Sequence, residues 1–446
     1  MADDLRASSA PRELATPVFA EKRPTPDPTT FLVKHPSDGP FYKEIDQLNR
    51  EHELKAVTFP MPRGTPEPRL SLYEVLGKKK DAIDWITRNK QIVFHALGDC
   101  GSTRSPRTED LVTDKLQADF QEQDNREIPQ FNLLLGDIVY SFGELQYYYD
   151  QFYDPYRDYP APILAAAGNH DSMVPPGLRE RALEGYLRNF CAERFEAMPE
   201  AGGLSRTAQI QPGVFFTFEA PFVCILVLFS NCLEDPGVIA NSDIGDSQLI
   251  FLEAALKRLK AANYGGALLF AHHHPPYTLS RHGWSIKMQQ QIDKVCDKVG
   301  LWPHADLAGH AHNYQRFTRY RPDGLSIPYV VCGNGGHNVT SLRKVHGPDG
   351  DTALRTPQII QTSKQGEKIV FENYDDTNYG YLRITATAQQ LRIEYHPASD
   401  GADAKTPDDA VTVKLATHEL DHFTAEDLGF TEKAAAVHKL KQRQND

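Results

Sequence analysis

Five short segments of this chain each follow an apolar run, and each carries Asp, Asn or His in the turn. They are Gly98-Asp99-Cys100-Gly101, Gly136-Asp137-Ile138-Val139-Tyr140, Gly168-Asn169-His170-Asp171, His272-His273-His274-Pro275 and Gly309-His310-Ala311-His312. The runs before them are Ile92–Leu97, Phe131–Leu135, Pro162–Ala167, Ala267–Ala271 and Ala305–Ala308. Their length and unbroken apolar character suit buried strands. In α/β folds, ligand and catalytic groups collect in loops outside the carboxyl ends of strands. Five such loops are the layout of one shared site.

Further runs at Val214–Phe218, Val223–Phe229, Tyr329–Cys332, Tyr381–Thr385 and Leu391–Tyr395 read as more strands. Helical patterns lie between them. In Asp246–Lys260, Leu249, Leu252, Leu256 and Leu259 share a face and Asp246 is a plausible N-cap. Ser285–Val299 is a second amphipathic candidate. Strands alternating with helices predict α/β architecture. Residues 1–40, with Pro11, Pro17, Pro24, Pro26 and Pro28 among polar groups, read as a flexible Pro-rich arm. Residues 41–90 read as an N-terminal extension packed on the core. It has helices around Phe41–Leu54 and Ser71–Arg88, with Phe59–Pro68 between them. Residues 91–400 form the expected catalytic domain. Residues 401–446 form a tail with a strand at Val411–Leu415 and a charged helix near the end.

The formal net charge of -12 disfavours a nucleic-acid partner, because an acidic surface repels phosphate backbones at long range. A small phosphorylated substrate is compatible with it, since metal cations would dominate the local field. No apolar run reaches the length of a membrane span. The polar start Met1-Ala2-Asp3-Asp4 shows no secretory signal, so a cytoplasmic protein is expected. The six cysteines form no CxxC pair and are expected to be reduced.

The residue types at the strand ends make chemical sense together. Carboxylates, an amide oxygen, a phenol and imidazoles form a mixed oxygen and nitrogen set that suits zinc, iron or manganese. The candidate metal ligands are Asp99, Asp137, Tyr140, Asn169, His273, His310 and His312. If one carboxylate bridges, two metal ions each receive four protein contacts. One takes Asp99, Asp137, Tyr140 and His312; the other takes Asp137, Asn169, His273 and His310.

In order and kind, the five segments resemble the metallophosphoesterase superfamily, the calcineurin-like phosphoesterases, and most closely its purple acid phosphatase branch. That branch has Asp-x-Gly, Gly-Asp-x-x-Tyr, Gly-Asn-His-Asp/Glu, a His after an apolar strand, and Gly-His-x-His. All five occur between Asp99 and His312. The resemblance implies a four-layer α-β-β-α sandwich with mixed sheets. It implies that Tyr140 is a tyrosinate binding ferric iron, with iron, zinc or manganese at the second position. The family's Pro two residues after its histidine ligand selects His273 through Pro275. Strand alternation then sends His272 and His274 elsewhere, to an outer shell or to solvent. His95 and His304 read as structural, and His337 as close to the pocket.

The resemblance also assigns His170 to protonating the leaving group or contacting phosphate, with Asp171 orienting it or capping a helix. His282 is expected to contact the substrate phosphate. The expected reaction is hydrolysis of phosphate esters, monoesters foremost, by a metal-bound hydroxide. A phosphodiesterase of the same superfamily is the alternative, and a non-catalytic scaffold a remote one. Gly136-Asp137-Ile138-Val139-Tyr140-Ser141 lacks the Arg that protein phosphatases carry after this motif.

Overall fold

The structure, a computed structural model, describes residues 17, 40–51, 60–103, 106–173, 181–242, 244–342, 345–347, 350–352, 354–398 and 407–422. The expected arm, apart from Pro17 and Pro40, and the charged helix expected near the end of the chain lie outside the described residues.

The chain opens with α1 (Pro40–Arg50), β1 (Arg69–Ser71), α2 (Leu72–Val75), α3 (Lys80–Asn89), β2 (Gln91–Leu97) and α4 (Arg107–Ala118). It continues with β3 (Asn132–Leu135), β4 (Ile163–Ala166), α5 (Glu184–Phe190), β5 (Phe216–Ala220), β6 (Val223–Val227), α6 (Ser247–Ala261), β7 (Ala267–Ala271), α7 (Ile286–Val299) and β8 (Ala305–Ala308). Then follow β9 (Tyr314–Tyr320), β10 (Ser326–Cys332), β11 (Val345–Gly347), β12 (Gly350–Thr352), β13 (Gln358–Thr362), β14 (Lys368–Asp375), β15 (Gly380–Thr387), β16 (Gln390–Pro397), β17 (Asp409–Lys414) and β18 (Leu420–His422).

Two mixed sheets make an α/β sandwich with helical layers. One sheet has the order β1-β5-β6-β7-β8-β10-β9-β14-β13, the other β18-β17-β16-β15-β2-β3-β4. Their centres are parallel: β6, β7, β8 and β10 in the first, β2, β3 and β4 in the second. Parallel strands covered on both faces read as continuous apolar runs, and these strands are buried almost throughout. All five expected site loops leave the carboxyl ends of these parallel strands. The sheets share one apolar core. Tyr314 of β9 stacks on Tyr395 of β16 at 4.0 Å between ring centroids, and Phe131 meets Phe218 of β5 at 5.0 Å.

Among the helices, α2 starts at a capping box in which Ser71 and Glu74 satisfy each other's backbone N–H groups. α7 stops at Gly300, whose φ of 68° an L side chain resists. α6 buries Phe251, Leu252, Ala255, Leu256 and Leu259. Leu249 is only half-buried, so the apolar stripe is rotated from the one expected. Asp246 stands at the N-cap but makes no side-chain capping bond.

The antiparallel half carries a buried ion pair between the sheets. Arg316 of β9 donates from Nε to Asp409 Oδ2 of β17 at 2.7 Å and from Nη2 to Oδ1 at 2.9 Å, and Tyr314 donates to the same carboxylate at 2.7 Å. All six cysteines are buried and free. Among the described residues, no helix is long and apolar enough to cross a membrane. Removing one partner of a buried pair strands the other's charge, at about 3–5 kcal/mol. Asp409→Ala is therefore expected to lower the denaturant midpoint markedly, while Arg316→Met with Asp409→Leu recovers most of the loss. Equal midpoints for Asp409→Ala and the parent chain would remove the pair from the account of stability.

Candidate metal centre

Three of the expected ligands sit on backbone that L side chains rarely adopt. φ is 55° at Asp99, 53° at Asp137 and 68° at His310. Such residues cost about 1–3 kcal/mol each and persist where their surroundings hold them. Here the holding groups are the carboxylates themselves. His310 N–H donates to Asp99 Oδ2 at 2.7 Å, and His170 N–H donates to Asp137 Oδ1 at 2.9 Å. The Asp171 carboxylate accepts from the N–H groups of Ile138 at 2.9 Å, Val139 at 3.2 Å and Gly168 at 2.8 Å. Glycine is required where the loops touch: a Cβ on Gly168 would lie 2.1 Å from Asp137 Oδ1.

The remaining carboxylate oxygens face other donors. Tyr140 Oη lies 3.1 Å from Asp99 Oδ1, 3.3 Å from Asp137 Oδ2 and 3.4 Å from His312 Nε2. His312 Nε2 is 3.3 Å from Asp99 Oδ1. His273 Nε2 lies 3.1 Å from Asp137 Oδ2 and 3.1 Å from His310 Nδ1. Asn169 is fully buried, and its Oδ1 has no hydrogen-bond partner among the described residues. Oxygen and nitrogen donors at about 2.0–2.2 Å from one ion stand roughly 3 Å apart, so the donors have the spacing of metal ligands. Asp137, His273 and His310 form one group able to hold an ion; Asp235, His282 and His310 form a second, sharing His310.

The local field is consistent with cations. Burial would raise the Asp137 carboxyl, but His273 and His170 outweigh it and pull it well below the usual carboxylate range. Burial would lower His273, yet the carboxylates of Asp137 and Asp99 push it up to about 9. A proton there occupies the atom that a metal would take. Burial, then His282, His274 and His273, keep His310 neutral, as a metal-ligating imidazole must be. Burial and the Asp137 charge push Asp171 up to about 6.

Several neighbours differ from expectation. Asp171 neither orients His170 nor caps a helix by its side chain; it ties down the backbone of the Asp137 loop. His170 is instead oriented by the Ser141 carbonyl, 2.8 Å from its Nδ1, and by ring contacts with Tyr42 at 4.1 Å and Tyr140 at 4.3 Å. Of the two places expected for His272 and His274, solvent is excluded, since both are fully buried. His272 Nε2 meets Asp306 at 3.1 Å. His274 Nδ1 meets Ser230 Oγ at 2.8 Å, and its ring lies 4.4 Å from that of His310. Strands covered on both faces leave no solvent side. His337 stacks flat on Tyr140 at 3.7 Å, and the Asn338 side-chain oxygen meets His312 Nδ1. His95 and His304 lie in other bonds, to Tyr159 and Asp119 and to the backbone of Leu268 and Leu415.

Sequence reasoning missed Tyr42, Glu234 and Asp235. Asp235 Oδ2 lies 3.1 Å from His282 Nδ1, and its Oδ1 lies 3.4 Å from His310 Nε2. Both acids follow β6, so the rule that found the other loops also covers this one. Its apolar run, however, carries no Gly-Asp or His signal at its end. Tyr42 has no signal of any kind near the site in sequence.

No curated protein sequence matches this chain. Among solved structures, it is similar to a purple acid phosphatase from yellow lupin (Lupinus luteus) seeds, with 16% identity over 73% of this chain and a TM-score of 0.47. The chain spans about half of that protein, 54% of its length. GAP50, the anchor in the inner membrane complex of Plasmodium, gives 12% identity, 73% and 88% coverage of the two chains and a TM-score of 0.49. PhoD gives 13%, 79% and 78%, and 0.43. The sequence profile of the calcineurin-like phosphoesterases matches residues 92–314, from β2 to the start of β9. That stretch holds all five strand-end loops, and the chain belongs to the calcineurin-like phosphoesterase family.

Proposed function

We propose that this protein hydrolyses phosphate esters, monoesters before diesters, at a dinuclear metal site of the purple acid phosphatase type. Ferric iron would be held by Asp99, Asp137, Tyr140 and His312. Iron, zinc or manganese would be held by Asp137, Asn169, His273 and His310. What carries this reading is the pair of donor rings that meet at the Asp137 carboxylate, with Tyr140 Oη within 3.4 Å of three other donors. A phenolate is a hard anionic donor and favours a trivalent ion. When bound, the two cations would supply Lewis acidity, acidifying water and neutralising charge on the phosphoryl group.

The rest falls to the chain. The Ser141 carbonyl accepts from His170 Nδ1, so the neutral imidazole keeps its proton there. His170 is assigned to protonating the leaving oxygen or meeting a phosphate oxygen. His282 is assigned to contact with phosphate, its Nδ1 held by Asp235. The substrate is a small phosphorylated molecule.

Freshly purified protein is expected to contain close to two metal ions per chain, iron among them, by elemental analysis. Tyr140→Phe is expected to lose the visible absorption band of an iron–tyrosinate pair. Two ions without iron would overturn the Tyr140 assignment. Near-zero metal that iron, zinc and manganese all fail to restore would overturn the enzyme reading itself.

A second expectation concerns rate. His170→Ala should lower kcat on a chromogenic phosphomonoester by about 10²–10⁴, the usual worth of a general acid, with metal content unchanged. Faster turnover of the matching diester by the parent protein would reverse the monoester preference.

A further inference from the structure

Helix α1 lies outside the stretch that matches the family, yet it reaches the candidate centre. Tyr42 is buried, with 1% of its surface exposed, and its hydroxyl accepts from Asn169 Nδ2 at 2.9 Å. Glu234 Oε2 accepts from the same amide nitrogen at 3.2 Å. Both amide protons of Asn169 are thereby used. A carboxylate only accepts, so turning the amide over would set its carbonyl oxygen against Glu234. The arrangement leaves Oδ1 as the one polar atom of that side chain without a partner among the described residues. The Tyr42 ring also stacks on the His170 imidazole, at 4.1 Å and 23°.

The helix is anchored to the loops it serves. Asp46 Oδ1 accepts from Glu234 N–H at 2.9 Å, and Arg50 donates to Asp46 Oδ2 at 2.6 Å and to the Asp235 carbonyl. Tyr42, Ile45, Phe142 and Met173 form a separate small apolar cluster. The Phe142 ring lies 5.3 Å from that of Tyr42 and 5.8 Å from that of Phe41. α1 thus clamps the Asn169 loop, the Tyr140 loop and the loop after β6 together.

We infer that Tyr42, with Glu234, is a positioning residue that fixes the Asn169 amide with its oxygen presented to the second metal position, making α1 part of the centre. The inference rests on the dinuclear reading proposed above. Groups that orient a ligand in this way are typically worth about 10–100-fold in metal affinity. Their removal acts on one position of the pair. Among the described residues Tyr42 makes no hydrogen bond or ring contact with Asp99, Tyr140 or His312, so the effect on the first position should be much the smaller.

The test uses the full chain, stripped of metal and titrated with zinc or manganese by calorimetry. Parent, Tyr42→Phe and Glu234→Ala are compared, with circular dichroism to check folding. Tyr42→Phe keeps the ring stacked on His170 and removes only the acceptor. It should weaken the second ion by about 10–100-fold and the first much less. Glu234→Ala should weaken the same ion. Ile45→Ala, which loosens the α1 anchor without touching Asn169, controls for stability: it should lower the melting temperature more than Tyr42→Phe while weakening the second ion less. Parent-like affinity for both ions in Tyr42→Phe overturns the inference, as does equal weakening of the two. Two tightly bound ions without esterase activity in the parent would sink the proposed function while the titration still decides Tyr42. A parent chain that takes up no ion overturns both.

Discussion

The Asp137 carboxylate joins the fold to the site. One oxygen accepts the His170 N–H and locks the loop after β4 against the loop after β3. The other lies within 3.3 Å of both His273 Nε2 and Tyr140 Oη. Asp99 divides its oxygens in the same way, Oδ2 to the His310 N–H and Oδ1 toward Tyr140 and His312. Hydrogen bonds to a charged acceptor are worth about 1.5–3 kcal/mol each, comparable to the cost of one left-handed residue. The strained turns at Asp99, Asp137 and His310 are thus held by the side chains they display. Losing one carboxylate would release a neighbouring loop as well as a candidate ligand.

This economy depends on two sheets ending at one edge. β2, β3 and β4 run parallel in one sheet, and β7 and β8 in the other. Gly98 N–H donates to the Cys332 carbonyl at 2.8 Å, which brings the end of β2 against the end of β10 across the sandwich. The loops then meet without any long excursion of chain. Two charged donor sets face each other because their strands are packed against the same core.

The parallel strands were legible in the sequence because burial on both faces leaves an unbroken apolar run. β9 was not, for the opposite reason. Tyr314-Gln315-Arg316-Phe317-Thr318-Arg319-Tyr320 carries two arginines, a residue type rarely buried unless paired, and so breaks any apolar run. Both are buried: Arg316 against Asp409, and Arg319 against Asp293 and Glu367. Their partners are distant in sequence, 93 residues away for Asp409, so no local pattern announces them. The strand-end residues of the site were legible because each loop repeats one local signature after a strand. Their surroundings were not. Asp171 looks like a partner for its neighbour His170 until the loop places its carboxylate on three backbone N–H groups instead.

The centre therefore has two parts with different physical support. Its inner donors are fixed by hydrogen bonds among loops rooted in the two sheets and share the cooperativity of the core. Its outer wall, made of Tyr42, Glu234, Asp235 and His282, comes from α1 and from loops that no strand pairing holds. α1 is tied down by a small apolar cluster and a few polar bonds, far less than the burial that holds a central strand. Local opening free energies follow local burial, so α1 can leave its place at a cost well below that of unfolding the sandwich. When it does, Asn169 and His170 lose direct contacts, and the Tyr140 loop loses the packing of Phe142 on α1. The two proposed metal positions, already set apart by the Tyr140 phenol, thus also differ in how firmly the protein prepares them.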